Sequence, residues 1–538
     1  MHVTNRNIVS AALWLGAASL GSRIIGLLRE RVMTTAFGAG DIFDAFVAAF
    51  RLPDLIFNLV VVGALSAAFI PLFTEKLVKG RKKGYEEAFD FALSVLHLVL
   101  VAVATLSVIY ALGAHWIVPW ITPGFEGEKL EMTITLSRIM ALQPILLSIS
   151  FMFSGVLNSF KRFVVYALAP IVYNLGIIIG AIWLVPWVGI EGLGWGVVLG
   201  AVMHVLVQLP SIINVGLRWR PVMKWSSADV RTLRRMIIPR MFGMAGQQMN
   251  LFLVTIIGST LSAGSIAAFH LANNIQSAPV GIFGLAFAQA AFPTLAEQWA
   301  RKQKKEFRST ITRTFRYIIF LTVPTAAFAY LLRAQLVRVL FGDGAFDWTD
   351  TIMTYSILGL LLLSLFAQAA APLLIRAFYV RQNTATPVII SLVSMAVNIA
   401  LALWLAPMMG VEGLALAFSA SAILTLVMLL GKLHIELDGF DDRVVVASVL
   451  RIALASVLAG MVVQGLKYAI EPWVDMTRFW GVSTQMAGAL IGGGMAYLGL
   501  CMLFKCEELE VLRKYLPRKF KMKLAPGTET TRFGGMLE

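Results

Sequence analysis

Charge is scarce in this chain. Asp, Glu, Lys and Arg together make up 14% of its residues, against roughly a quarter in an ordinary soluble protein, while 58% are hydrophobic. That balance excludes a soluble enzyme. Cysteine is nearly absent: Cys501 and Cys506 are too few for a disulfide framework and too closely spaced for paired zinc ligands. There is no Walker phosphate loop, no metal-binding histidine pair and no nucleophile elbow, so neither ATP-driven transport nor hydrolysis has residues to carry it. No cofactor and no catalytic or metal-binding residue is expected. From Ile237 to Pro293 there is not one Asp or Glu, which leaves no carboxylate there for a cation site.

What the chain has instead is apolar sequence in long runs. About 310 hydrophobic residues, at about 20 per spanning helix, supply a dozen spans or slightly more. Runs bounded by charges and Gly/Pro turns fall at 8–36, 42–74, 85–113, 130–157, 165–186, 192–217, 236–260, 265–298, 310–332, 351–377, 386–406, 412–433, 444–469 and 481–504. They predict an all-α polytopic membrane protein of about fourteen transmembrane helices. The first run continues into charged helix rather than a small-residue cleavage site, so no signal peptide is expected. The net charge of +15 sits between the runs, at Lys76–Lys83, Lys161/Arg162, Arg218–Arg235, Arg301–Arg308 and the tail from Lys505. The alternate connections are poor in cations, which predicts that both termini are cytoplasmic. The basic loops and tail are expected to meet anionic lipid headgroups rather than nucleic acid.

The chain repeats itself. Trp183–Leu193 recurs as Trp404–Leu414, Ala64–Glu75 as Ala286–Glu297, and the turn Gly38–Gly40 as Ser262–Gly264. Spans one to six thus match spans seven to twelve. Six is an even number, so both copies enter the membrane in the same direction and form two parallel lobes around a central cavity, the arrangement used for alternating access. The expected division is an N-lobe at 1–217, a C-lobe at 218–434, two accessory helices at 435–504 and a basic tail at 505–538. From Glu507 to Phe520 the tail has the spacing of an amphipathic surface helix.

Ionisable groups inside a span are costly unless they face water or a partner, so they mark the site. Span one carries Arg23, Arg29, Glu30 and Arg31, and span two carries Asp44, Arg51 and Asp54. Arg23 lies about 22 Å along its helix, too deep to snorkel, and needs water or an anion. Arg29 is six positions on and some 120° around, so a straight helix does not present both together; a break at Gly21 or Gly26 is one way to bring them to one place. Glu30 reads as charge balance, and Arg31 as a snorkelled interface residue. Asp44, Arg51 and Asn58 fall at i, i+7 and i+14, either a polar stripe lining a cavity or, for the first two, a structural pair. In the second lobe the register of the repeat sets Gln247 opposite Arg23 and Asn274 near Arg51. His270, Asn273, Asn274 and Ser277 form a neutral stripe on span eight, with His270 read as a helix-packing residue or a proton relay.

Ser22–Glu30, Phe37–Gly40, Asp44–Phe46, Arg51–Pro53 and Gly63–Pro71, in this order, resemble the N-terminal signature of the MviN/MurJ family. These are lipid II flippases of the multidrug/oligosaccharidyl-lipid/polysaccharide exporter superfamily. Leu157–Phe163, Ala169-Pro170, Phe378–Gln382 and Thr386-Pro387 extend the resemblance over most of the first twelve spans. It implies a bacterial inner-membrane protein whose cationic cavity binds the diphosphate-sugar headgroup of an undecaprenyl-linked cell-wall precursor and turns it outward. The lipid tail would lie beside spans thirteen and fourteen. Arg23 and Arg29 stand at the family's two first-helix arginines, Glu30 at its aspartate and Asp44 at an acidic position. The chain departs from the pattern at Phe57, Asn58 and Val62, where the family has an arginine and an acidic residue, and at Asn273-Asn274, which replaces an aspartate-arginine pair. Arg51 is the candidate substitute cation. Transport of another lipid-linked glycan, cation-coupled drug export and a non-transporting cell-wall scaffold are the alternatives.

Overall fold

The computed structural model describes residues 5–62, 69–80, 85–440 and 442–509. Among them are fourteen helical runs, numbered here as the expected spans. The first lobe has α1 (Asn5–Phe37), the interrupted α2 (Asp41–Ala49, Arg51–Ile56, Ile70–Gly80), α3 (Glu86–Ile121), α4 (Gly127–Ser159), α5 (Val164–Val188) and α6 (Glu191–Asn214). The second has α7 (Ala228–Ser259), α8 (Ser265–Ala300), α9 (Lys304–Leu331, continued by Arg333–Phe341), α10 (Trp348–Leu362 and Leu365–Val380), α11 (Ala385–Met409) and α12 (Val411–Glu436). Then come α13 (Asp442–Trp473) and α14 (Phe479–Leu503).

Ten of these helices, and an eleventh if the two halves of α10, bent by 45°, count as one, are long and apolar enough to cross a membrane. The three remaining runs, α1, α2 and α7, are the front helices of the two lobes, and each includes residues whose side chains lie outside the described set. The repeat is visible in the packing: α1 lies on α5 as α7 lies on α11, α2 on α4 as α8 on α10, and α5 on α6 as α11 on α12. Wider π-helical turns interrupt α2 at Phe57–Val62 and α8 at Val280–Leu285, at matching places in the two copies. α13 packs on α9, and α14 on α13 and on Arg333–Phe341.

With lipid as solvent, apolar burial does little to join helices, and close packing takes over. The α5–α6 contact shows this. A Cβ on Gly176 would come 2.3 Å from Gly200 Cα, one on Gly180 2.5 Å from Gly196 Cα, and one on Gly200 2.4 Å from the Tyr173 carbonyl oxygen. Backbone meets backbone, so nothing flexible can yield. Gly196→Val is expected to destabilise the protein by at least ~1–3 kcal/mol, read as a lower melting temperature in detergent; an unchanged melting curve would show that α5 and α6 separate freely.

Three expectations change. α1 is one continuous α-helix, with no break at Gly21 or Gly26. The Asp44–Arg51–Asn58 stripe does not lie on one regular helix: Pro53 has no N–H for the Ala49 carbonyl, the run is interrupted at Phe50, and Asn58 falls in the π-helical turn. Arg31 is not simply snorkelled: it donates to the Val339 carbonyl at 3.0 Å, approaches Asp343 and lies over the Phe479 ring. The tail helix lies outside the described residues beyond Leu509. Its root is held by Arg316, which pairs with Glu507 and with buried Glu508.

Candidate functional site

The site lies where α1 and α2 of one lobe face α7 and α8 of the other. Because α1 is unbroken, its two deep arginines diverge. Arg23 lies against α8, its guanidinium 2.6 Å from where a Cβ on Gly281 would stand, so a side chain in that π-helical turn would push the guanidinium aside. Arg29 turns toward α5 and donates through Nη1 to Asn174 Oδ1 at 2.9 Å and through Nη2 to Glu30, while its buried Nε has no partner among the described residues. Asn174 is oriented by its own bond to the Pro170 carbonyl one turn back, at 2.9 Å.

Glu30 is the point of convergence. It is 3% exposed, and its Oε1 is met by Arg29 from its own helix, by Asn274 Nδ2 at 3.2 Å and by His270 Nε2 at 3.3 Å from the opposite lobe. A buried carboxylate is tolerable only with such company. Asn274 Nδ2 also lies 3.0 Å from His270 Nε2. Arg51 crosses the interface in the other direction, its Nε donating to Thr255 Oγ1 at 2.6 Å. Asp54, one turn on, accepts from Gln143 at 3.4 Å. Asn58 and Asn273 are half-buried in the π-helical turn of α2 and beside Asn274 on α8. Gln247 lies in α7, but its side chain, like that of Val62, is outside the described residues. The expected neighbourhood of Asn274 and Arg51 is therefore divided: Asn274 bonds to Glu30 and His270, Arg51 to Thr255.

The face that the loop charges assign to the outside, here called the outer face, is closed by backbone contacts between the lobes. Asp44, 1% exposed, accepts from the Gly264 and Ala267 amides at 2.8 Å each. The first turn of α8 has no side-chain cap of its own, so its free N–H groups and positive end are satisfied by a carboxylate from the other lobe. Lys129 balances that charge, bonding Asp44 at 2.8 Å and Asp41 at 2.7 Å. The Ala39 amide donates to Asp350 at 3.0 Å, the Ala345 amide to the Thr35 carbonyl at 2.9 Å, and the Gly124 amide to Ser259 at 3.2 Å. Gly264, at φ +83°, has the Ala39 carbonyl oxygen 1.8 Å from where a Cβ would stand. Met33, Phe43, Ile266, Phe269, Phe341 and Phe346 fill the apolar layer behind this seam.

Sequence reasoning missed Asn174, Lys129, Thr255 and Gly281. Asn174 had a readable signal, as a lone amide four residues after Pro170 in an apolar span. The others had none, because their roles depend on a partner far away in the chain.

Comparison with known proteins places this arrangement. The family model "Lipid II flippase MurJ" matches residues 33–484. A probable lipid II flippase MurJ of Rhizobium tropici is 30% identical, with the match covering 98% of this chain and all of that one. The corresponding protein of Vibrio cholerae serotype O1 is 31% identical over 93% of this chain and 96% of its own. Among solved structures, a lipid II flippase MurJ in an inward closed conformation superposes with a TM-score of 0.76 at 22% identity, over 92% of this chain and all of that one. An inward-facing multidrug resistance MATE transporter gives 0.63 at 14% identity, over 77% and 94%.

Proposed function

The chain belongs to the lipid II flippase MurJ family, and on that premise we propose that it carries lipid II, or a closely related undecaprenyl-diphosphate glycolipid, from the inner to the outer leaflet of the bacterial inner membrane by alternating access. The observation that carries this reading is the convergence on Glu30. Donors from both lobes meet on one buried carboxylate, and a site that gathers donors around an oxyanion suits a diphosphate. In the empty cavity Glu30 stands in for the substrate's oxygens; an arriving headgroup takes over Arg29, with Arg23 and Arg51 supplying further positive charge. The segments 1–217 and 218–434 are the two moving bodies, and Asp44 with the outer glycine turns is the contact that must part for release.

A short stretch of the lipid tail would lie in an apolar cleft of about 230 Å³ lined by Phe283 of α8, Phe320 and Phe328 of α9, and Gly494 and Leu498 of α14, with the rest of the chain outside it in the bilayer. A tail lying there stays in the hydrocarbon while the headgroup crosses. Export of a cationic drug is less well supported, because Glu30, Asp44 and Asp54 are each already engaged by Arg29, Lys129 or Gln143.

The test is complementation: expressed in a bacterium depleted of its lipid II flippase, the chain should restore growth and cell shape. Lysis despite normal membrane insertion would reject the reading and favour a scaffold.

A further inference from the structure

Among the described residues the cations around the convergence point come from one lobe: Arg23, Arg29 and Arg51 all belong to α1 and α2, whereas α8 presents Asn273, Asn274 and His270. His270 is the basic side chain that α8 brings to Glu30, and its side chain is 26% exposed, open to proton exchange with solvent. Its Nε2 lies between an acceptor and a donor, 3.3 Å from Glu30 Oε1 and 3.0 Å from Asn274 Nδ2. Protonated, Nε2 donates to the carboxylate; unprotonated, it accepts from the amide. Both arrangements exist without moving a helix.

Resting on the lipid II reading above, we propose that His270, as an imidazolium, is the second lobe's cation for the headgroup diphosphate, so that headgroup capture strengthens as pH falls through the imidazole range. The charged groups around it are Glu30 and Arg29 on α1, with Asp54 on α2 at longer range. Phe43 of α2 meets the imidazole in a T-shaped arrangement, with ring centroids 6.2 Å apart. Asp44, one turn outward, is taken by Lys129 and the α8 amides. On α10, Asp350 is bound to the Ala39 amide. α7 carries no charged residue from Gln248 to Ser259, nor α12 from Gly413 to Gly431. Arg23 meets α8 about 11 residues, roughly 16 Å, further along at Gly281.

The sign follows from linkage. A diphosphate favours the protonated form of a neighbouring imidazole, so headgroup binding takes up a proton and tightens as pH falls. An ordinary imidazole titrates near 6.5, while arginines and a diphosphate diester keep their charge from about pH 5.5 to 8.5, and comparison with His270→Gln separates the imidazole's share from that of the neighbouring carboxylates.

The experiment measures binding of a short-chain lipid II to the full-length protein in nanodiscs at pH 5.5, 6.5, 7.5 and 8.5. The native protein should bind about tenfold more tightly at the lowest pH than at the highest. His270→Gln should be flat at the weak, high-pH value, and His270→Arg flat at or above the strong one. Binding by the native protein without pH dependence, or an undiminished slope in His270→Gln, overturns the proposal and leaves the lipid II reading standing. No binding at any pH overturns both. If His270→Gln does not fold, the flat profile required of His270→Arg decides.

Discussion

Arg29→Ala is expected to abolish flipping in reconstituted vesicles while the protein still inserts. The guanidinium makes two bonds in the cavity, to Asn174 and to Glu30, and its loss acts twice. It removes charge-assisted bonds that a diphosphate would use, worth roughly 1.5–3 kcal/mol each, which corresponds to at least about tenfold in headgroup affinity. It also strands a buried carboxylate, and removing one member of a buried pair costs about 3–5 kcal/mol of stability. The double variant Arg29→Ala/Glu30→Gln separates the two effects, since it takes away the stranded charge. It should recover most of the melting temperature and none of the flipping. Recovery of transport by the double variant would mean that Arg29 serves only to hold Glu30, and that the headgroup is bound elsewhere. Arg23→Ala should also abolish flipping but cost less stability, because Arg23 is exposed and makes no ion pair among the described residues.

The second large effect is expected at the outer seam. Gly264→Ala sets a Cβ against the Ala39 carbonyl oxygen and asks an L-residue to hold φ near +83°, a left-handed conformation costing about 1–2 kcal/mol before any clash. The same shift pulls the Gly264 and Ala267 amides away from Asp44. The closed seam should therefore part, leaving the protein biased outward and transport reduced by more than tenfold. A membrane-impermeant thiol reagent reads this directly. The two native cysteines are buried, so a cysteine introduced at Ser265, itself fully buried at the seam, reports with little background. Faster labelling in the Gly264→Ala background is the expected result. Unchanged labelling with full transport would show that the seam does not gate.

The apolar runs coincide with the fourteen helical runs among the described residues, ten or eleven of which are long and apolar enough to cross a membrane, because a helix that crosses hydrocarbon must bond its own backbone and show it an apolar surface. The site was legible only in its residue types. Arg23, Arg29, Glu30, Asp44 and Arg51 stood out by their cost in a span. Their partners did not, since Glu30 meets His270 some 240 positions away and Asp44 meets Gly264 some 220 away, separations that no local pattern encodes. Counting by helical turns misled on α2, where Asp44, Arg51 and Asn58 look like one stripe until the missing N–H of Pro53 and the π-helical turn rotate them apart. The interrupted geometry is what lets Asp44 serve the outer seam while Arg51 serves the interface with α7.

The outer seam is held largely by main-chain groups, and this makes solvent a reactant in opening. When the lobes part, the amides of Ala39, Gly124, Gly264, Ala267 and Ala345 lose their partners across the interface, and an amide left bare costs about as much as the bond it lost. Each must therefore be hydrated as it is exposed. Opening takes up a defined handful of water molecules, and its equilibrium depends on water activity in the compartment the seam faces. Osmolytes too large to enter the widening crevice would hold the lobes together without touching the protein, and under the proposed function the osmolarity of that compartment would set how readily the headgroup is released.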